Sequence, residues 1–169
     1  MTSILFVTDG TVAAPVRCEM PARELARRGH QAVSVVLPQL NGINGQGLEI
    51  IVLQRPVYEN GAILFTSRAN GTRIVVDLDD DFASLPPEHP GYETFNGEQA
   101  RKNLAQALEA YDLLTVSTPE LARRLAGRAK EIRVIPNGWS QENLYWSSTI
   151  RRSTVNVGWC GSLTHKDDL

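Results

Sequence analysis

The sequence predicts an α/β fold: a Rossmann-like, doubly wound and mostly parallel sheet, followed by a truncated second domain. Short apolar runs of strand type alternate with stretches of helical spacing along most of the chain, which is the pattern of strand–helix–strand units. The first run, Ile4 to Thr8, is continuously apolar and ends at Asp9-Gly10, as expected of a strand buried on both faces. Such a sheet binds its ligands at the carboxyl ends of its strands.

Proline and glycine residues mark the ends of the predicted elements in the first half of the chain. A helix containing Pro21 follows the first strand, because an apolar stripe precedes Gly29, which suits a helix C-cap. Residues 31–37 are the second predicted strand, stopped by Pro38. Residues 41–47, NGINGQG, lack the spacing and the Lys-Ser/Thr pair of a phosphate-binding loop. We interpret them as a flexible loop or turn.

Two further strands and a long loop come next. Residues 49–54, EIIVLQ, are the third predicted strand, and a weakly helical stretch continues to Ala69. Residues 73–78, RIVVDL, are the fourth and end in a cluster of acids. Residues 79–97 are rich in proline, acids and aromatics, which indicates a long loop, ordered or mobile, of the kind that often carries function.

The same alternation completes the predicted sheet. Residues 98–111 have helical spacing, and residues 113–116 form the fifth strand. STPE at 117–120 is a capping box with proline in the first turn, and it opens a helix that ends near Gly127. Residues 132–135 are the sixth strand, closed by Pro-Asn-Gly.

The domain division follows from a change of pattern after this sheet. We expect a Rossmann-like domain over residues 1–138 and a polar linker over residues 139–153. Residues 154–169 run from a strand through a glycine turn toward a helix start, so they are interpreted as the beginning of a truncated domain. At 169 residues, one substantial core plus a remnant is the expected content.

Composition narrows the class of protein. The chain is 42% apolar and 21% charged with a formal charge of −2, which gives no electrostatic case for nucleic acid. Two distant cysteines, Cys18 and Cys160, favour reduced thiols in the cytoplasm. No signal peptide or transmembrane run is predicted, and peripheral attachment at the inner membrane face stays open. Hydrolase triads, Cys/His metal sets and dinucleotide fingerprints do not occur.

Two strand ends in the first half carry residues suited to ligand chemistry. In TDGTVAAPVR, Gly10 allows close backbone approach and Arg17 precedes the helix, so either an anion site or an ordinary turn fits. In DLDDDF, Asp77 and Asp79 form a DxD pattern. Such carboxylates hold a hard cation or accept hydrogen bonds from hydroxyls or amides, and we favour the second reading.

Two strand ends in the second half of the chain also carry residues that could contact a ligand. VIPNGW turns sharply at Asn137-Gly138, which suits a hinge without a ligand better than a binding loop. The terminal GWCGSLTHKDDL places small residues before a helix start, an arrangement that suits a diphosphate. Its candidate ligand-binding residues are Gly161, Ser162, His165 and Lys166.

Taken together, these strand ends resemble the retaining GT-B glycosyltransferases of family 4. The resemblance keeps motif order over nearly the whole chain. The stretches that carry it are ILFVTDG, Arg17 with PARELARRGHQAVSVV, VVDLDDDF, DLLTVSTPELARRL, IRVIPNG and VGWCGSLTHKDDL. VSTPELARRL followed by VIPNG is the most specific part.

The resemblance implies two Rossmann-like domains facing a cleft, with the acceptor bound by the first and the nucleotide-sugar by the second. It implies metal-independent chemistry without a cofactor, in which donors and helix dipoles stabilise the leaving diphosphate. The candidate residues for binding the nucleotide-sugar are Gly10, Arg17, Asn137, Gly138, Gly161, Ser162, His165 and Lys166. The catalytic residues stay unassigned, with Asp79 and Asp80 as candidates where many relatives place a polar or histidine residue.

The family's acidic donor motif has no counterpart before the chain ends. We therefore expect an acceptor-side fragment with little transferase activity alone. The alternative is a non-catalytic α/β module that recognises a glycan or a protein partner. In either case an uncovered inter-domain face predicts self-association.

Overall fold

A computed structural model describes residues 1–37, 47–127, 129–138 and 140. The predicted start of a second domain at 154–169, almost all of the linker and most of the glycine-rich loop at 41–47 lie outside these residues. The described strands are β1 Ser3–Thr8, β2 Gln31–Val36, β3 Ile50–Gln54, β4 Arg73–Leu78, β5 Leu113–Val116 and β6 Ile132–Val134. The described α-helices are α1 Met20–Arg27, α2 Gly61–Ala69, α3 Tyr92–Asn96, α4 Glu98–Ala110 and α5 Pro119–Leu125.

The strands form a six-stranded sheet in the order β2-β1-β3-β4-β5-β6, and every described pair is parallel. This confirms the predicted α/β class. Because β1 lies between β2 and β3, the chain leaves β1 toward one edge and later returns toward the other. The strand order therefore reverses between β1 and β3, and parallel sheets place their ligand crevice at the carboxyl ends beside such a reversal.

The two faces of the sheet are covered unequally by the described helices. Alternate residues of β1 point to opposite faces, Leu5 and Val7 to one, Ile4 and Phe6 to the other. The first face packs under α2, α4 and α5 and contains the larger apolar cluster. The second face has a smaller cluster, to which Cys18 and Ala22 contribute from the α1 side. Strand β1 is thus buried on both faces, as its apolar run predicts.

The connection from β1 to α1 differs from the prediction. A π-helical segment, Pro15–Glu19, precedes α1, and the amide of Met20 donates to the carbonyl of Pro15. Pro21 lies in the first turn of α1, where its fixed φ suits helical backbone. Helical structure therefore begins earlier than the sequence predicts, and the wider π turn carries Arg17 within it.

Candidate functional site

The carboxyl ends of β1, β3 and β4 bring together residues that are far apart in the sequence. Asp9 follows β1, Arg55 follows β3 and Asp79 follows β4. The Arg55 guanidinium lies 3.7 Å from Asp9 Oδ1 through Nη2 and 3.4 Å from Asp79 Oδ1 through Nε. We call these three residues with Gln54 and Tyr58 the switch-point cluster, since they surround the reversal of strand order.

Arg55 is the most unusual residue of the cluster. Its φ is +44°, in the left-handed region that residues with a side chain seldom occupy, and its side chain is 6% exposed. The guanidinium carbon lies 5.7 Å from the ring centre of Phe82 and 5.5 Å from that of Phe95, within cation–π range. Strained backbone of this kind is typical of functional sites.

Several buried polar atoms of this region have no hydrogen-bond partner among the described residues. They are Thr11 Oγ1, Gln54 Nε2, Arg55 Nε and Nη2, Tyr58 Oη and Asp79 Oδ1. Buried polar groups are nearly always hydrogen-bonded in proteins, so each exception needs an explanation. Both donors and acceptors are present, which suits a bound polar molecule that offers both.

The Gln54 side chain is held through its carbonyl oxygen. Thr8 Oγ1 donates to Gln54 Oε1 at 2.6 Å, and the Cys18 thiol approaches the same oxygen at 3.6 Å, which leaves only the Nε2 amide group unbonded. Burial raises the pKa of the Tyr58 hydroxyl, and the negative charge of Asp9 raises it further. Tyr58 therefore keeps its proton and can donate.

Burial also raises the pKa of Asp79, while Arg55 opposes the shift and Asp80 adds to it. The carboxylate of Asp79 is thus poorly stabilised by the protein alone, although Arg55 is close. Asp80 is exposed. Of the two candidate catalytic residues, Asp79 belongs to the switch-point cluster, whereas Asp80 follows it in the chain and points to solvent.

The residues of the DxD pattern have separate partners. Arg17 Nε donates to Asp77 Oδ2 at 2.9 Å, its Nη2 donates to Asp77 Oδ1, and Thr115 Oγ1 donates to Asp77 Oδ1 at 2.6 Å. Asp77 is therefore fully engaged inside the protein, whereas Asp79 faces Arg55. Within the described ranges, His, Cys, Asp and Glu side chains form no group of three or more that could hold a metal ion.

Arg17 joins three parts of the chain. Besides Asp77, its Nη1 donates to the carbonyl of Ile135 and lies 3.3 Å from Asn137 Oδ1. Burial by itself lowers the pKa of Arg17, but the hydrogen bonds and charge of Asp77 outweigh burial and raise it overall. A role for Arg17 and Asn137 in holding an anion stays a prediction. An anion bound there would compete with Asp77 and the carbonyl of Ile135 for the Arg17 guanidinium.

The remaining predicted ligand-binding residues lie in different places. Gly10 has a φ of +78° and is exposed at the end of β1, and a Cβ there would lie 3.2 Å from Val36 Cγ1. Gly138 is exposed where the chain leaves the sheet. Gly161, Ser162, His165 and Lys166 lie outside the described residues, so their role stays a prediction.

The long loop after β4 contains short helical segments. It contains a short 3-10 turn, Phe82–Ser84, and helix α3. The rings of Phe82 and Phe95 stack with centres 5.2 Å apart, and Asn96 Nδ2 donates to the carbonyls of Ala83 and Leu85 at 3.4 and 3.3 Å. The loop thereby presents both rings to Arg55.

A half-open apolar pocket of about 480 Å³ lies on the less covered face of the sheet. Apolar side chains of the strands, among them Phe6, Val52 and Val75, line it together with Leu25 of α1. Arg17 and Asp77 border it, and Ile135, Pro136 and Gly138 contribute as well. The pocket and the switch-point cluster share no residue.

Sequence reasoning identified Asp79 but not Gln54, Arg55 or Tyr58. The only signal for these three was their position at or shortly after the end of a predicted strand. Nothing local shows that Arg55 meets the residues that follow β1 and β4.

No helix among the described residues is long and apolar enough to cross a membrane. The chain matches no family model, no curated protein and no solved structure. Since a fold of this class hosts many functions, the function has to be argued from the site.

Proposed function

We propose that this chain is the acceptor-binding domain of a nucleotide-sugar-dependent glycosyltransferase of the retaining, family 4-like type. The observation that carries the proposal is the set of buried donors and acceptors in the switch-point cluster that make no hydrogen bond. The cluster lies where a parallel sheet binds its ligand, and the sequence resemblance supports the same assignment.

A sugar suits the chemistry of the cluster. Each hydroxyl group both donates and accepts a hydrogen bond. The donors are Gln54 Nε2, the Arg55 guanidinium and the Tyr58 hydroxyl, and the acceptor is Asp79 Oδ1. A single polyol can satisfy both kinds of group at once, whereas an apolar ligand would leave them unpaired at a cost of about 1–3 kcal/mol each.

Within this proposal Asp79 accepts a hydrogen bond from the acceptor, and exposed Asp80 contacts the outer part of the acceptor. The nucleotide-sugar is a cosubstrate rather than a cofactor, and its proposed contacts include Gly10, Arg17, Asn137 and Gly138 together with Gly161, Ser162, His165 and Lys166. The amides of Gly10 and Thr11 donate to Thr8 Oγ1 at 3.1 Å and to Asp9 Oδ1 at 3.0 Å. A diphosphate bound at this turn would replace these acceptors.

Saccharide titrations monitored by NMR amide shifts test the proposal. We expect neutral and amino monosaccharides to shift resonances at the ends of β1, β3 and β4, and the Gln54→Leu variant to bind more weakly. Glu98→Gln, on the exposed start of α4 where Glu98 pairs with Lys102 at 2.7 Å, is the matched control and should bind normally. Shifts confined to other parts of the molecule, or no binding, would refute the proposal.

The apolar pocket favours a second candidate, a binding module that recognises a protein partner or another copy of itself. Half-exposed Ile135 lies at this pocket, and exposed apolar surface of this kind commonly marks an interface. Sedimentation of the chain and of Ile135→Glu distinguishes the two candidates. A dimer that dissociates in Ile135→Glu, without saccharide binding, would favour the module.

A further inference from the structure

Charge at the carboxyl edge of the sheet is unbalanced within the described part of the chain. Arg17 pairs with Asp77, and Arg124 Nη1 lies 3.0 Å from Asp81 Oδ2. Arg55 is then left facing both Asp9 and Asp79, with exposed Asp80 beside them in the chain. The switch-point cluster therefore carries an excess of negative charge.

The acids do not stand alone as evidence for a ligand. Gln54 is fully buried, and its Nε2 has no partner; Arg55 is 5% exposed, and two of its nitrogens make no hydrogen bond. The two Arg55 nitrogens face Asp79 and Asp9 at 3.4 and 3.7 Å. It is therefore the Gln54 amide that indicates a polar occupant independently of the carboxylates. The carboxylates then decide which charge that occupant carries.

Asp79 is the group that a cation would stabilise most. Its Oδ1 has no hydrogen-bond donor, and its side chain is 11% exposed. Arg55 Nε lies 3.4 Å from this oxygen, but the same guanidinium also faces Asp9 at 3.7 Å, so one positive charge is shared between two carboxylates. An ammonium group supplies both a donor and a compensating charge, whereas a hydroxyl supplies only the donor.

We propose that the acceptor bound at the switch-point cluster is a polyol that carries a protonated amine, and that this amine pairs with Asp79. The inference rests on the proposed function and specifies its substrate class. Hydroxyl groups of the same molecule pair with Gln54, Arg55 and Tyr58. An acceptor with a carboxylate or phosphate is disfavoured, because it would approach Asp9, Asp79 and Asp80 together.

Three sugars on one ring skeleton test the inference: glucosamine, glucose and glucuronate, titrated into the whole chain at neutral pH and low salt. We expect glucosamine to bind on the order of tenfold more tightly than glucose, and glucuronate to bind most weakly. The preference should shrink as salt is added. Asp79→Asn should remove it, Asp79→Glu should restore part of it, and the control Glu98→Gln should leave it unchanged.

Each outcome decides the inference. Tighter binding of glucose or glucuronate than of glucosamine overturns it, and so does a preference that survives in Asp79→Asn. If none of the three sugars binds, the proposed function falls and takes the inference with it. If sugars bind at the cluster in the reverse order, only the inference falls. Circular dichroism of each variant shows whether it is folded.

Discussion

At the scale of single residues, the candidate site consists of side chains that are largely buried but lack hydrogen bonds from their neighbours. Arg55 combines a positive φ with a buried guanidinium, and Asp79 is buried beside it with one oxygen unbonded. Such arrangements cost stability, which proteins tolerate mainly where the strained group meets a ligand.

Asp79→Asn should stabilise the free protein. The pKa of Asp79 is raised in the folded state, so the folded protein binds this proton more tightly than the unfolded chain does. The resulting stabilisation is complete only below the ordinary pKa of 3.8. Stability is lost as pH rises through the raised pKa. Urea unfolding across pH should show the Asn variant more stable at neutral pH and equal to wild type in acid.

Exposed Asp80 offers the matched comparison for that experiment. Asp80→Asn should change the free energy of unfolding much less than Asp79→Asn. A loss of stability in Asp79→Asn at neutral pH would show that its attraction to Arg55 outweighs the cost of burying the charge.

At the scale of elements, the start of α5 shows that a local sequence motif predicts the helix but not which of its residues caps it. The capping box at 117–120 correctly predicts a helix there, but Thr118 caps it, accepting from the amide of Leu121 at 3.1 Å. Ser117, the first residue of the motif, instead donates to the carbonyl of Asp79 at 2.7 Å. Ser117 thereby ties the end of β5 to the loop after β4.

Thr118→Ala should lower the free energy of unfolding by about 1 kcal/mol, because the amide of Leu121 loses its side-chain acceptor. Thr118→Ser keeps the hydroxyl and should remain close to wild type. Chemical denaturation of both variants checks this. Equal losses in the two would mean that the methyl group, rather than the cap, stabilises the start of α5.

At the scale of the whole molecule, Arg17 links segments that no local signal connects. Its partners lie on β4 and after β6, and its hydrogen bond to Ile135 spans 118 positions of sequence. The ion pair with Asp77 is almost completely buried, at 3% and 4% exposure. Removing one partner of such a pair leaves the other charged and buried.

Arg17→Ala should therefore destabilise the protein by about 3–5 kcal/mol. Amide exchange in β6 should also accelerate, since the chain after this strand loses its contact. Arg133→Ala, which removes an exposed pair with Glu131, should cost no more than about 1 kcal/mol. A small effect of Arg17→Ala in thermal and urea unfolding would show that water readily reaches Asp77.

The sequence alone determined the α/β class, the order along the chain of the strands and of the helices other than α3, and the polar character of the strand ends. Hydrophobic period and turn residues encode these features locally. Tertiary structure alone decided the strand order, the earlier helical start at Pro15 and the separate partners of Asp77 and Asp79. It also decided that Arg55 meets Asp9, Asp79 and two aromatic rings. The reason is physical: local patterns show which residues are buried, but pairing across tens of residues depends on how the strands are arranged.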